Sequence, residues 1–118
     1  MIKIIVADMD GTSLNEKEDI TPGTADMIKK VLDSGREFFF ASGRPVFGIK
    51  RKINDAGLTG KIKYYIAYNG GVVYDAANER HIYEKNISFD IINSVHEIIL
   101  EKDLDVCLCL HHNDVMYV

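Results

Sequence analysis

Ile4-Ile5-Val6-Ala7-Asp8-Met9-Asp10-Gly11-Thr12 is the stretch from which the rest of the chain is read. A run of apolar residues ends abruptly in two carboxylates two positions apart, and a glycine and a hydroxyl follow at once. Residues i and i+2 of a strand point to the same side, which puts Asp8 and Asp10 roughly 6–7 Å apart along the backbone and within reach of one ligand. Two close carboxylates repel when both are ionised, so one keeps a proton or a cation neutralises the pair. One acid can then serve as nucleophile or metal ligand and the other as proton donor. Gly11 allows a sharp turn and a close backbone approach to a ligand. Taken alone, the same residues also suit a plain polar turn after a strand.

Working outward, residues 2–7 read as a buried strand and 11–21 as a polar loop over its tip. Thr21-Pro22 marks a helix start with Pro at the first helical position, Ala25, Ile28 and Leu32 recur at helical spacing, and Gly35 is the stop. Glu37 to Ala41 is a second strand, ending in Ser42-Gly43-Arg44-Pro45. Pro45 opens a second helix with the stripe Val46, Ile49 and Ile53, closed by Gly57. Tyr64 to Tyr68 is a third strand, followed by Asn69-Gly70-Gly71. Strand–helix–strand–helix–strand is the pattern of an α/β fold with a Rossmann-like parallel sheet and helices on its faces.

The pattern then changes. Val72-Val73-Tyr74 and His81-Ile82-Tyr83 read as a hairpin, and Ser88 caps a helix carrying Ile91, Ile92, Val95, Ile98 and Ile99. Leu104 to Leu110 and Val115 to Val118 read as another hairpin, turning at His112-Asn113-Asp114. The expected division is therefore 1–81 for the N-terminal portion of the core and 82–118 for the start of an α+β layer.

Ligands of open parallel sheets bind outside the carboxyl ends of the strands. Three successive ends carry groups capable of chemistry: Asp8, Asp10 and Thr12; Ser42, Gly43 and Arg44; Asn69 and Gly70. Ser42 and the amides after it form an anion seat before a helix. Singly, Ser42 is an ordinary cap, Arg44 a solvated cation and Asn69-Gly70 a turn. Their conjunction at three consecutive tips is what gives the pattern weight.

Composition sets the bounds. The 118 residues are 47% hydrophobic and 27% charged, with a net charge of −4. That is globular usage, large enough to bury roughly 65% of the unfolded surface. No basic cluster favours nucleic acid, and no apolar run or leader pattern points to a membrane or to export, so a cytoplasmic location is expected. Cys107 and Cys109 alternate with Val106, Leu108 and Leu110 as strand residues do and read as small buried hydrophobes. A Cys-x-Cys-x-His-His metal site with His111-His112 is the lesser reading.

Asp8-Met9-Asp10-Gly11-Thr12 resembles the first motif of the haloacid dehalogenase-like phosphohydrolases, and Ala41-Ser42-Gly43-Arg44 resembles their second. Tyr68-Asn69-Gly70-Gly71-Val72-Val73-Tyr74 is similar to the segment leading into the cap of the Cof-type subfamily. The resemblance covers essentially the whole chain, in order. It implies a phosphatase of small phosphorylated metabolites. Asp8 would attack phosphorus to form an aspartyl-phosphate, and Asp10 would protonate the leaving oxygen and then activate water. Mg²⁺ would be held by Asp8 and the Asp10 backbone carbonyl. Ser42, with amides near Gly11, Thr12 and Gly43, would hold the phosphate, while Arg44, Asn69 and Gly70 would lie on the substrate side.

Ser13 departs from the apolar residue usual in the family, without touching a proposed chemical role. The family's later lysine and further acids for Mg²⁺ have no counterpart before Val118, which implies an N-terminal fragment with a truncated cap and a sheet edge open to association. Two other readings stand beside this one. One is a catalytically incompetent fragment acting as a phosphate- or Mg²⁺-binding module. The other is a phosphoacceptor receiver domain, which no acid at the second or third strand tip supports.

Overall fold

The computed structural model describes residues 2–112 and 115–118. The chain divides into two compact units, Met1–Glu84 and Lys85–Val118.

In the first unit, β1 (Ile4–Asp8), α1 (Pro22–Asp33), β2 (Glu37–Ala41), α2 (Val46–Asp55), β3 (Tyr64–Ala67), β4 (Val72–Asp75) and β5 (Arg80–Glu84) follow in order. The sheet runs β1-β2-β3-β4-β5, with β1–β2 and β2–β3 parallel and the last two pairs antiparallel. The expected α/β order is present. Local chemistry explains the helix ends: the Thr21 hydroxyl accepts from the Thr24 amide and Pro22 takes the first helical position. Past Ser34, Gly35 takes the left-handed conformation (φ 77°) that stops the helix. Pro45 caps α2 in an extended conformation, one residue outside the helix it was expected to open.

One hydrophobic cluster holds this unit together. Ala25 and Ile28 of α1 and Val46, Ile49 and Ile53 of α2 meet Phe38 and Phe40 of β2 and Tyr65 and Ala67 of β3. Phe40, Ile49 and Ala67 are completely shielded from solvent. Full burial of a side chain such as Phe40 stabilises by about 1.5–3 kcal/mol. Phe38 and Phe40 meet edge to face at 5.1 Å, and Tyr65 stacks on Tyr74 at 5.9 Å.

The expectation of a buried first strand is corrected. Ile4 and Val6 are 54% and 51% exposed, while Ile5 and Ala7 pack partly against the cluster. The reason is topological: β1 lies at the sheet edge and pairs with β2 alone, and of its residues Ile5 and Ala7 are the ones that meet the cluster.

In the second unit, the Ser88 hydroxyl accepts from the Ile91 amide and caps α3 (Phe89–Glu101), as its sequence predicts. β6 (Leu110–His112) pairs antiparallel with β7 (Val115–Tyr117). The first arm of the expected hairpin is shorter than Leu104–Leu110, because residues 104–109 are irregular. The turn expected at His112-Asn113-Asp114 falls largely outside the described residues. Cys107 and Cys109 are exposed, not buried, with their sulfurs 3.9 Å apart. Among the described residues no group of three or more His, Cys, Asp or Glu is placed to hold a metal, and no helix is long and apolar enough to cross a membrane.

Candidate functional site at the strand tips

The parallel register aligns the strand ends. Asp8 pairs with Ala41, and Ala41 with Ile66, so the segments after β1, β2 and β3 emerge at the same end of the sheet.

β1 stops at Asp8, so Asp10 lies beyond the strand in a turn closed by the Leu14 amide on the Met9 carbonyl (2.9 Å). The strand alternation expected to place both acids on one side therefore does not extend to Asp10; Met9 is fully buried, while Asp8 and Asp10 on either side of it are exposed. Gly11 sits at φ 70°, where a Cβ would be strained. Asp8 Oδ1 accepts from the Met9 amide at 2.7 Å, and the Ser13 hydroxyl donates to the Asp8 carbonyl at 2.6 Å. Ser13 thus braces the backbone of the first acid, a role its departure from the family pattern did not suggest.

The second tip is bound to the third. The Ser42 amide extends the β2–β3 ladder to the Ile66 carbonyl (2.9 Å), and its buried hydroxyl accepts from the Arg44 amide (3.1 Å). The Tyr68 amide donates to the Arg44 carbonyl and the Asn69 amide to the Ser42 carbonyl, both at 3.1 Å. Tyr68, Asn69 and Gly70 all have positive φ (51°, 53° and 91°), and for the first two that conformation costs energy which these tip-to-tip bonds help to hold. A Cβ at Gly43 would come within 3.0 Å of Asn69 Oδ1, so a side chain there would displace the carboxamide.

The second tip is also bound to the first. Arg44 Nε lies 2.9 and 3.2 Å from Asp10 Oδ2 and Oδ1, and Nη2 lies 2.6 Å from Oδ1, a bidentate pair. The same Nη2 reaches Glu18 Oε2 at 3.0 Å. The Arg44 hydrogen bond holds the Asp10 carboxyl below its ordinary value against a smaller opposing effect of burial, with Lys52 and Ser42 adding in the same downward direction. Asp10, chiefly, and then Glu18 push the guanidinium further above its already high value. The pairing with Arg44 therefore favours the ionised form of Asp10.

Contacts thus join Asp10, Ser42, Gly43, Arg44 and Asn69, while the hydrogen bonds of Asp8 among the described residues are local. Thr12 and Gly70 are exposed beside these tips. Glu18 escaped the sequence reading because its partner lies 26 residues away. The only clue was a run of acids in a polar loop preceding a single arginine motif. Asp8 and the Asp10 carbonyl are hard oxygen donors of the kind Mg²⁺ takes together with several waters. Asp10's carboxylate is engaged by Arg44.

A family model described as haloacid dehalogenase-like hydrolase matches residues 5–118. The YxeH protein of Bacillus subtilis is 31% identical over 101 residues, which are 86% of this chain and 37% of YxeH. The 5-amino-6-(5-phospho-D-ribitylamino)uracil phosphatase YwtE of Bacillus subtilis is 26% identical over 136 residues, 96% of this chain and 46% of YwtE. Among solved structures, the subclass IIB sugar phosphatase BT4131 superimposes with a TM-score of 0.71 at 25% identity, covering 85% of this chain and 38% of BT4131. The chain spans less than half the length of each of these relatives.

Proposed function

The chain belongs to the haloacid dehalogenase-like hydrolases, and from that membership we propose that the protein is a Mg²⁺-dependent phosphatase of small phosphorylated metabolites, acting through an aspartyl-phosphate on Asp8. The observation that carries this reading is the joining of three strand tips, through Arg44 on Asp10 and through Tyr68 and Asn69 on the Ser42–Arg44 segment. The names of YwtE and BT4131 support a phosphorylated polyol or sugar as the substrate class.

In this reading a carboxylate oxygen of Asp8 attacks phosphorus as the ester P–O bond breaks, and the departing oxygen takes a proton from Asp10. Water then gives a proton to Asp10 and attacks the phosphorus, freeing Asp8 and inorganic phosphate. Ser42 and the amides around Gly11, Thr12 and Gly43 hold the phosphate oxygens, and Arg44, Asn69 and Gly70 face the leaving group. Mg²⁺ would be held by Asp8 and Asp10, and when bound would supply charge neutralisation. Arg44's pairing favours the ionised Asp10 that proton donation leaves behind, and the proton that Asp10 then takes from water is the one it gives to the next leaving group. Residues 82–118 are assigned to the start of a cap, to which substrate selection falls.

The test is hydrolysis of p-nitrophenyl phosphate with and without Mg²⁺. Turnover should require the metal and vanish in Asp8→Asn; undiminished turnover in that variant sinks the assignment. A second reading is phosphate binding without turnover, with the buried Ser42 hydroxyl at the β2 tip as its anchor. Inorganic phosphate binding that depends on Ser42, in a protein with no turnover, would favour it.

A further inference from the structure

Resting on the phosphatase reading, we propose that Glu18 is a positioning residue of the strand-tip site, fixing Arg44 on Asp10 from outside the motifs that contact phosphate. Arg44 is tied at its backbone on both sides, by the Ser42 hydroxyl at its amide and the Tyr68 amide at its carbonyl. Only its side chain is left to be placed. With Asp10 as the sole partner, guanidinium and carboxylate could drift together, since Asp10 is 52% exposed. Glu18 adds a second anchor on the same nitrogen, Nη2, 3.0 Å away. The two acids thus fix the guanidinium between the β1 tip and the loop that follows it.

The loop is shaped for this. The Asn15 carboxamide oxygen accepts from the Lys17 and Asp19 amides, both at 2.9 Å. The Glu18 amide donates to the Asn15 carbonyl and the Asn15 amide to the Asp19 carbonyl. Asp19 is paired with Lys52 on α2 at 3.5 Å. This closed loop holds Glu18 at φ 59°, a conformation that a residue with a Cβ adopts only at a cost. Glu18 is 65% exposed, and an exposed ion pair contributes little to stability. A strained backbone that aims a carboxylate at Arg44 therefore has its explanation in placing that arginine.

The experiment compares Glu18→Gln in the wild-type and Arg44→Lys backgrounds, with p-nitrophenyl phosphate as probe. In the wild-type background kcat should fall about three- to fivefold, as expected for one exposed charged contact, with KM about unchanged. In the Arg44→Lys background the same substitution should have no further effect, because Glu18 acts through Arg44. Equal losses in both backgrounds, or none in either, overturn the proposal. Independently of turnover, solvent exchange of the Arg44 Nε–H, read by NMR, should accelerate about threefold or more in Glu18→Gln. Unchanged exchange overturns the clamp. Accelerated exchange in a protein that hydrolyses no phosphomonoester supports the clamp and sinks the phosphatase reading instead.

Discussion

The two units of this chain carry local folding signals of similar quality and bury very different amounts of apolar surface. α1 and α3 each begin with a hydroxyl cap accepting from the third residue on, and each has an apolar stripe at helical spacing. Yet all the buried hydrophobic residues among those described lie between Met9 and Tyr74, whereas Ile91, Val95 and Ile98 of α3 are 56%, 40% and 47% exposed. The difference teaches that capping and periodicity specify an element, whereas burial needs a facing surface. In the first unit that surface is a sheet whose parallel register brings Phe38, Phe40, Tyr65 and Ala67 against two helices.

The largest effect that separates the units is core truncation. Phe40→Ala should lower the unfolding free energy of the first unit by about 3–5 kcal/mol. Ile98→Ala in α3 should cost about 1 kcal/mol or less, since half of that side chain is already in water. Urea unfolding of both variants measures this, and equal losses would break the comparison. The caps make the opposite forecast: Thr21→Ala and Ser88→Ala should each cost their own helix about 1 kcal/mol, read as faster amide exchange in the first turns of α1 and α3. A cap effect confined to α1 would mean that local signals are unequal after all.

The smallest stability effect belongs to the strand-tip ion pair. Asp10's carboxyl is held below its ordinary value of 3.8, first by the hydrogen bond from Arg44. A depressed carboxyl contributes stability above its unfolded pKa and loses it as pH falls through the folded value, so Arg44 should help only on the neutral side of that window. NMR titration of the Asp10 side-chain carbon should show its midpoint below 3.8 and moving upward in Arg44→Met. An unmoved midpoint would deny the pairing any electrostatic role.

The order of strands and helices was legible in residues such as Thr21-Pro22, Ser88 and the Val46-Ile49-Ile53 stripe, because caps and periodicity are encoded within a few neighbouring positions. The acids and glycines of the three tips were legible for the same reason. Their wiring was not. Arg44 meets Asp10 across 34 residues and Glu18 across 26, and such pairs leave no periodic trace. The exposure of Ile4 and Val6 was hidden because apolar content does not reveal an edge position. The irregular run from Leu104 to Cys109 was misread because alternation signals a strand only where a partner strand is present.

The proposed chemistry is tested most directly by trapping the enzyme during turnover. Acid quenching with a phosphomonoester and Mg²⁺, followed by peptide mass analysis, should place one phosphoryl group on the peptide containing Asp8, absent in Asp8→Asn. Turnover that proceeds with phosphate on another residue, or with no phosphoenzyme under conditions where hydrolysis of the acyl phosphate is slowed, would contradict the account.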